Sequence, residues 1–534
     1  MTSTCSECGA LKIAEEEPNL LIPATTSWTL ARCQKLAKSN EPPNAAEAAF
    51  LRAVVPDTAA RLACLEQEIS RLKERLAVLE TERAELADYQ SQNAAILSPL
   101  RRMPSELIAE IFSWSLPTID EMDGDRSDVK KSPWALAQVS SRWRNISLST
   151  PSLWSMVQVW GKRIDDSAIK LVRMQVERAR KLKVHFYASE DGDSAMQVTL
   201  FDFLSEHAPR WEEFSVQLTP ALAPRLDALR GRLPSLQRLW IQWDNAGNHI
   251  GDAPIKCFET APSLLDVGMT DQAGALLAVP FPTHRLTSYR LQGRWDMHQR
   301  ILTTAPNIVE AGIQILTSNA EASWPETGGP AIDLSRLRRL YVDHLEVLDY
   351  IRAPQLDEIA IWMDEPAGVV DRLDSFLLRS SCITLRQIYF NGLPHVGTTV
   401  EVLKKHLSIT SLVLSFGATE EENTVAFHDH LSVLSVQNDA ASIASPHLAE
   451  ISLGFPTSNP IDYPLCLQML QSRRKHPSCA LTTATFVAVE GPGPDLVTLA
   501  AMKELGDGGL DVLVRLGSEA QKHMDRWMYA CPWI

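Results

Sequence analysis

Apolar runs long enough to enter a bilayer are missing from this sequence: none approaches the roughly 20 residues that a membrane-spanning helix requires. A basic stretch followed by an apolar one is also missing from the start. Glu15, Glu16 and Glu17 stand there instead, so a secretory leader is not expected. Nine cysteines scattered over 534 residues make no disulfide framework, which points to a reducing compartment, cytosol or nucleus, with nothing to choose between them. Positive charge is in deficit, with 51 Lys and Arg against 66 Asp and Glu, a net charge of −15. A chain that grips nucleic-acid phosphates needs clustered cations, so that class is set aside.

Catalytic signatures are lacking too. No Gly-rich loop leads into a basic residue as a phosphate cradle would, and neither Gly-x-Ser-x-Gly nor His-Glu-x-x-His occurs. The most metal-like cluster is His428 and His430, with Glu420 to Glu422 nearby, and a surface loop accounts for it equally well. Cys5 and Cys8 have the spacing of half a zinc knuckle, but a structural zinc wants four ligands. The next thiols, Cys33 and Cys64, stand apart from each other, so a loose dithiol is the preferred reading. No metal and no cofactor are expected, and an enzyme is the weaker hypothesis.

What is present is a folded chain: 45% of residues are hydrophobic and 22% charged. At about 100–200 residues per domain the length predicts two to four units. Residues 1–55, rich in Ser, Thr, Pro, Asn and Glu, read as flexible. Residues 56–96 read as a coiled-coil helix, because Leu62, Leu65, Ile69, Leu72, Leu76, Leu79 and Leu86 follow the 3-4 spacing of a heptad seam. Glu68 then faces Lys73 and Arg75 faces Glu80 across a self-paired dimer. The seam decays at Arg83, Gln90 and Asn93 and resumes at Leu97 and Leu100. Two readings stay open: pairing with a second copy, or packing of the leucine stripe on the chain's own body.

Residues 97–160 carry a compact helical pattern. Pro104 opens a helix in which Leu107, Ile108, Ile111, Phe112 and Leu116 cover one face, with Trp114 beside it, and Pro117 ends it. After a polar segment from Thr118 to Ser132, Pro133 and Trp134 start a second helix, with Leu136, Val139, Trp143 and Ile146 on one face. Thr150, Pro151, Leu153 and Trp154 close the unit. This combination resembles the F-box, most of all the F-box-like domain abundant in mushroom-forming fungi and often preceded there by a coiled coil. Met103 replaces the usual Leu before the proline, Ser140 and Ser141 replace the usual second-helix pair, and the inter-helix loop is long. The resemblance implies that an apolar patch docks a Skp-type adaptor and, through it, the cullin scaffold of a ubiquitin ligase complex. It assigns the docking to Pro104, Leu107, Ile108, Ile111, Phe112, Val139, Trp143 and Leu153. The alternative is a plain three-helix subdomain packed on the rest of the protein.

Residues 161–534 repeat a pattern, apolar-x-x-apolar-x-apolar. Eleven copies start at Trp211, Leu236, Leu264, Leu286, Ile308, Leu337, Leu356, Leu385, Ile409, Leu448 and Leu481, at spacings of 19 to 39 residues and a mean of 27. That period suits an irregular leucine-rich-repeat solenoid with a parallel sheet. A compact α/β domain with a mostly parallel sheet would give part of the same pattern. Alternation along such strands turns Trp240 and Gln242, Arg290 and Gln292, Tyr341 and Asp343, Trp362, and Tyr389 and Asn391 outward. Of these, Trp240, Arg290, Tyr341, Asp343, Trp362 and Tyr389 are the candidate substrate-binding residues, and Arg290, Arg338 and Arg339 suit a phosphorylated peptide. The expected fold class is therefore multidomain, α followed by α/β. The expected function is that of a non-catalytic substrate adaptor in a Skp-cullin-F-box ubiquitin ligase, with an unknown protein substrate. Its rival is an interaction scaffold built on the coiled coil and repeats.

Overall fold

The computed structural model describes residues 3–4, 11–12, 32, 34–116, 133–243, 255–271, 279–315, 324, 330–362, 368–392, 394–416, 420–436, 445–456 and 461–527. Cys5, Cys8, Cys33, Pro117 and the polar segment that follows it lie outside these residues, as does most of the segment read as flexible. The fold is mixed α/β, with one long N-terminal helix and one large parallel sheet. It divides into two compact units, Met1–Met103 and Pro104–Ile534. No described helix is long and apolar enough to cross a membrane.

The first unit is dominated by α1 (Ala45–Leu97). The helix starts eleven residues before the expected boundary at 56 because Asn44 and Glu47 form a reciprocal capping box, each side chain accepting from the other's backbone N–H at 2.8 Å. Arg32 Nε donates to Glu47 Oε1 at 3.0 Å and ties the preceding segment to the cap. Pro56 lies within the helix, where it lacks the N–H that would bond one turn back. A proline there reads as a boundary in the sequence, yet the helix runs through it.

In the second unit, α2 (Ser105–Ser115), α3 (Pro133–Val139) and α4 (Ser141–Ser149) form a small helical cluster. The second helix of the sequence pattern is thus two helices. Ser140 breaks it with an extended backbone (φ −160°, ψ 164°), and its Oγ accepts from Trp143 N at 3.1 Å to cap α4. Trp154 is fully buried and donates from Nε1 to the Ser147 carbonyl at 2.8 Å. The Arg178 guanidinium lies over both Trp134 and Trp154, 4.7 and 4.4 Å from their ring centres. Arg178 is the last residue of α5 (Asp166–Arg178), so this stack ties the helical cluster to the sheet's first connection.

Fourteen strands make one open sheet. They are β1 (Met156–Trp160), β2 (Leu182–Tyr187), β3 (Trp211–Gln217), β4 (Arg238–Trp243), β5 (Asp266–Asp271), β6 (Ser288–Gly293) and β7 (Glu310–Ile315), then β8 (Arg339–Val342), β9 (Glu358–Trp362), β10 (Gln387–Asn391), β11 (Ser411–Ser415), β12 (Glu450–Phe455), β13 (Thr483–Ala488) and β14 (Asp511–Leu516). Each strand pairs in parallel with the next in sequence, so β1 and β14 are the two edges. All eleven predicted copies are strands, β3 to β13. Three strands were not predicted: β1, β2 and β14. β1 belongs to the sheet although it lies inside the 97–160 segment, and its Val157 and Val159, with Trp154 just ahead of it, match the repeat pattern.

Parallel register stacks like on like. One column runs Val157, Val184, Phe214, Leu239, Val267, Tyr289, Ala311, Leu340, Ile359, Ile388, Leu412 and Ile451, every member buried. A second column two residues on, and a third formed by the leading residue of each copy, are apolar too. This face is the core. At 25 cal/mol per Å² or so, each fully buried Leu or Ile in these columns contributes roughly 2 kcal/mol.

Polar groups are built into that core, His298 among them. His298 lies on α7 (Trp295–Thr304, with α6 spanning Ser194–Glu206), fully buried. Its Nε2 lies 3.1 Å from the Gln314 carbonyl, so that nitrogen carries the proton, and Nδ1 accepts from the Tyr289 hydroxyl at 2.9 Å. Burial pulls its pKa down to about 4. The folded protein therefore holds it neutral while the unfolded chain takes up a proton near pH 6.5. The contribution is complete above about pH 6.5 and is lost as pH falls toward about 4. Between about pH 7.5 and about pH 5 this group alone should remove about 2 kcal/mol. Urea midpoints at the two values will show a smaller pH loss in His298→Gln than in the parent; an equal loss would refute the assignment.

Candidate functional site

Two surfaces of the second unit carry the residues that the sequence singled out. The first is α2. Its backbone starts at Pro104, which takes the N-cap position with its carbonyl accepting from Ile108 N at 3.2 Å. Ile108 and Phe112 point into the helical cluster, and Phe112 meets Trp143 with ring centres 4.8 Å apart. One residue back, about 100° around the helix, and at i, i+4 and i+7, Leu107, Ile111 and Trp114 face solvent at 54%, 42% and 83% exposure. Val139 and Leu148 on the neighbouring helices are exposed as well.

The eight predicted docking residues therefore split. Pro104, Leu107, Ile111 and Val139 are on the surface, while Ile108, Phe112 and Leu153 are the cluster's own core and Trp143 is half-buried against Phe112. The sequence read α2 as one broad apolar face, but an eleven-residue helix this apolar has two faces to serve. Trp114 is the surface residue that the prediction left aside, and its spacing from Leu107 and Ile111 was the signal. Its indole Nε1 donates to Glu110 Oε1 at 2.8 Å, which orients the ring along the helix.

The second surface is the sheet face opposite the core. Its middle row reads Gln158, His185, Ser215, Trp240, Gly268, Arg290 and Gly312 over β1 to β7, then Tyr341, Ala360, Tyr389, Val413, Ser452 and Thr485 over β8 to β13. All the predicted substrate residues except Asp343 and Trp362 lie in this row, so the alternation is as expected. Their exposure is not, for three physical reasons.

First, two glycines let large side chains lie down. A Cβ on Gly268 would fall 1.9 Å from the Trp240 ring, and one on Gly312 would fall 3.2 Å from Arg290 Cγ. Trp240 and Arg290 each lie across the neighbouring strand instead of standing out from it. Second, charges pair along the row two residues earlier. Glu213 Oε1 takes Lys183 at 2.9 Å and Arg238 at 2.7 Å. Arg290 pairs with Glu310 and, at 3.8 Å, with Asp266, and Arg339 also pairs with Glu310. Arg290 is buried in this ladder and Arg339 half-buried, so of the three predicted phosphate-binding arginines only Arg338 is exposed. Asp343 turns to the backbone, where its carboxylate accepts from Ile315 N at 2.9 and 3.0 Å.

Third, a helix covers the later strands. The connections after β9 to β13 are α8 (Val369–Ser380), α9 (Val396–Lys405), α10 (Glu420–Leu434), α11 (Tyr463–Lys475) and α12 (Leu496–Asp507). After β14, Gly517 turns with φ +61°, a left-handed value that suits glycine, and α13 (Ser518–Trp527) returns over the sheet. Ala520, Met524 and Trp527, at i, i+4 and i+7, pack on Tyr341, Ala360, Tyr389, Val413 and Val487. Trp527 lies 5.7 Å from Tyr389 between ring centres, and Gly454 makes room for it, since a Cβ there would come within 3.0 Å of the indole. Tyr341 and Tyr389 are thus core residues, not anchors, and burial pushes the Tyr389 phenol pKa up. Trp362, at 40% exposure, stays on the surface, and Trp240 is half-buried.

What stays accessible on β1 to β7 is the row two residues later. It holds half-buried Trp160, stacked on the buried Tyr187 (4.4 Å, 24°), followed by half-buried Gln217, Gln242, Thr270, Gln292 and Gln314. This is a polar, amide-rich margin along the earlier half of the sheet.

The expected metal-like cluster resolves differently. His428 and His430 are on α10, not on a strand or loop. His430 is buried, donating from Nδ1 to the Ala426 carbonyl at 2.7 Å and accepting at Nε2 from Thr399 Oγ1 at 3.2 Å, whereas His428 is exposed. Among the described residues no group of three or more His, Cys, Asp or Glu is placed to hold a metal ion. No protein-family model matches the chain, and no curated protein is significantly similar to it.

Two predictions follow from the covered face and the charge ladder. Trp527→Ala is expected to cost about 3 kcal/mol in urea unfolding, against no more than about 0.5 for the exposed Gln521→Ala. Glu310→Ala strands the buried Arg290 with only the more distant Asp266, at an expected cost of about 3 kcal/mol, while Arg339→Ala at the half-exposed end costs about 1 or less.

Proposed function

We propose that this protein is a non-catalytic substrate-recognition adaptor of a Skp-cullin-F-box ubiquitin ligase. The single observation that carries the reading is the divided α2 helix: Ile108 and Phe112 hold the cluster together, which leaves Leu107, Ile111 and Trp114 as an apolar surface stripe, with Val139 also exposed on α3. A three-helix unit this small cannot bury all its apolar surface, and a stripe left outside is what docking a partner requires. In this reading the F-box-like cluster binds a Skp-type adaptor, and through it a cullin, in the cytosol or nucleus. The strands and their connections act as an irregular leucine-rich-repeat domain. Its amide-rich margin from Gln217 to Gln314, together with Trp160 and Trp362, takes the protein substrate. The chemistry is proximity: a substrate lysine is held near a ubiquitin-charged enzyme, which raises effective concentration.

The test is a pull-down of the full chain with a fungal Skp-type adaptor. The parent chain is expected to bind. Ile111→Asp and the double variant Leu107→Ala with Trp114→Ala are expected to weaken binding at least about tenfold while leaving the unfolding midpoint nearly unchanged, because these side chains contribute little to the core. Absence of binding by the parent chain would overturn the proposal and favour an interaction scaffold outside any ligase.

A further inference from the structure

Among the described residues, the long helix α1 carries an exposed apolar stripe. Leu62, Leu65, Ile69, Leu72, Leu76, Leu79 and Leu86 are each between 45% and 61% exposed. At 1.5 Å per residue the 53-residue helix is about 80 Å long, and helices in water gain most of their stability from packing an apolar face. The stripe keeps the heptad phase from Leu62 to Leu86, about three and a half heptads, the length at which two-stranded coils become stable.

We propose that the occupant of this stripe is the same helix of a second copy, aligned parallel and in register. Two features of the helix select that partner. The first is charge complementarity beside the seam. With Leu62 at position a, in-register parallel pairing sets Arg61 against Glu66, Glu68 against Lys73 and Arg75 against Glu80 of the other copy, all of opposite sign. In the single helix Glu68 instead bonds Arg71 one turn on, at 2.8 Å, on the solvent side of the seam. The second is the polar rungs. In register, Gln90 meets Gln90 and Asn93 meets Asn93, so polar faces polar and leucine faces leucine. The antiparallel alignment that also matches the leucines would set Gln90 against Leu51 and Asn93 against Ala48, burying amides against apolar groups. Arg83 at an a position meets its own copy, so the apolar seam is continuous from Leu62 to Leu79 and resumes at Leu86. The inference stands apart from adaptor docking, which uses residues of the other compact unit.

The test uses the full chain in analytical ultracentrifugation over a concentration series. The parent chain is expected at twice the chain mass of 59.3 kDa at low micromolar concentration. Leu72→Lys with Leu76→Lys is expected to give the single-chain mass. Glu68→Lys, a surface change that leaves the fold alone, should weaken pairing by about fivefold or more, and Glu68→Lys with Lys73→Glu should restore it. A parent chain that stays at single-chain mass, or a seam variant that still pairs, overturns the proposal. A dimer that the double charge reversal fails to restore overturns the parallel register.

Discussion

Most strands of the sheet contribute two apolar side chains to one face, with a third at or just ahead of their start, and no strand can bury these three alone. Parallel, in-register stacking answers that constraint by continuing every column from one copy to the next, Leu239 on Val267 on Tyr289, Leu412 on Ile451. The connecting helices close the same face from outside. Everything else in the second unit is arranged around these columns. Because strands alternate, burying them leaves the opposite face to whatever the intervening residues are, and that is where the molecule becomes irregular.

The irregularity has two regimes. Over β1 to β7 the opposite face is mostly polar, with side chains laid flat over glycines and carboxylates shared between cations. Gly268 and Gly312 matter because a parallel sheet spaces neighbours by about 4.8 Å, too close for Trp240 or Arg290 to lie beside another side chain. Over β8 to β11 the same row is Tyr341, Ala360, Tyr389 and Val413, and α13 covers it. An adaptor that reads a substrate on this face has only the earlier strands and the outer margin to do it with.

Much of this was legible in sequence. Eleven strands were found because their three apolar positions recur, and the alternation correctly put Trp240, Arg290, Tyr341 and Tyr389 on the second face. β2 was missed because a register shift between Leu182 and Lys183 changes its spacing to apolar-x-apolar-x-apolar. β14 was missed because Gly509 stands where the leading leucine would be. β1 was hidden by its overlap with the helical motif, whose Trp154 is also the leading residue of a repeat. The burial of Tyr341 and Tyr389 could not be read locally, since the cover comes from a helix far along the chain. Nor could the break at Ser140, where a side-chain cap on the following turn outweighs an apolar pattern that continues across it. On α2 the composition was clear, and only packing decided that Ile108 turns in while Ile111 turns out.

The return of α13 over the sheet has a consequence for how the chain is made. Synthesis runs from Tyr341 to Trp527 in roughly 10 to 40 s at about 5–20 residues per second. Throughout that interval the columns beneath can stack strand by strand, because each needs only its predecessor, but Tyr341, Tyr389 and Val413 have nothing above them. A ribosome-bound chain thus carries a finished inner core and a bare outer one. Products that stop short of Ser518 keep that bare face permanently, which makes them a natural client for chaperones and a target for quality control.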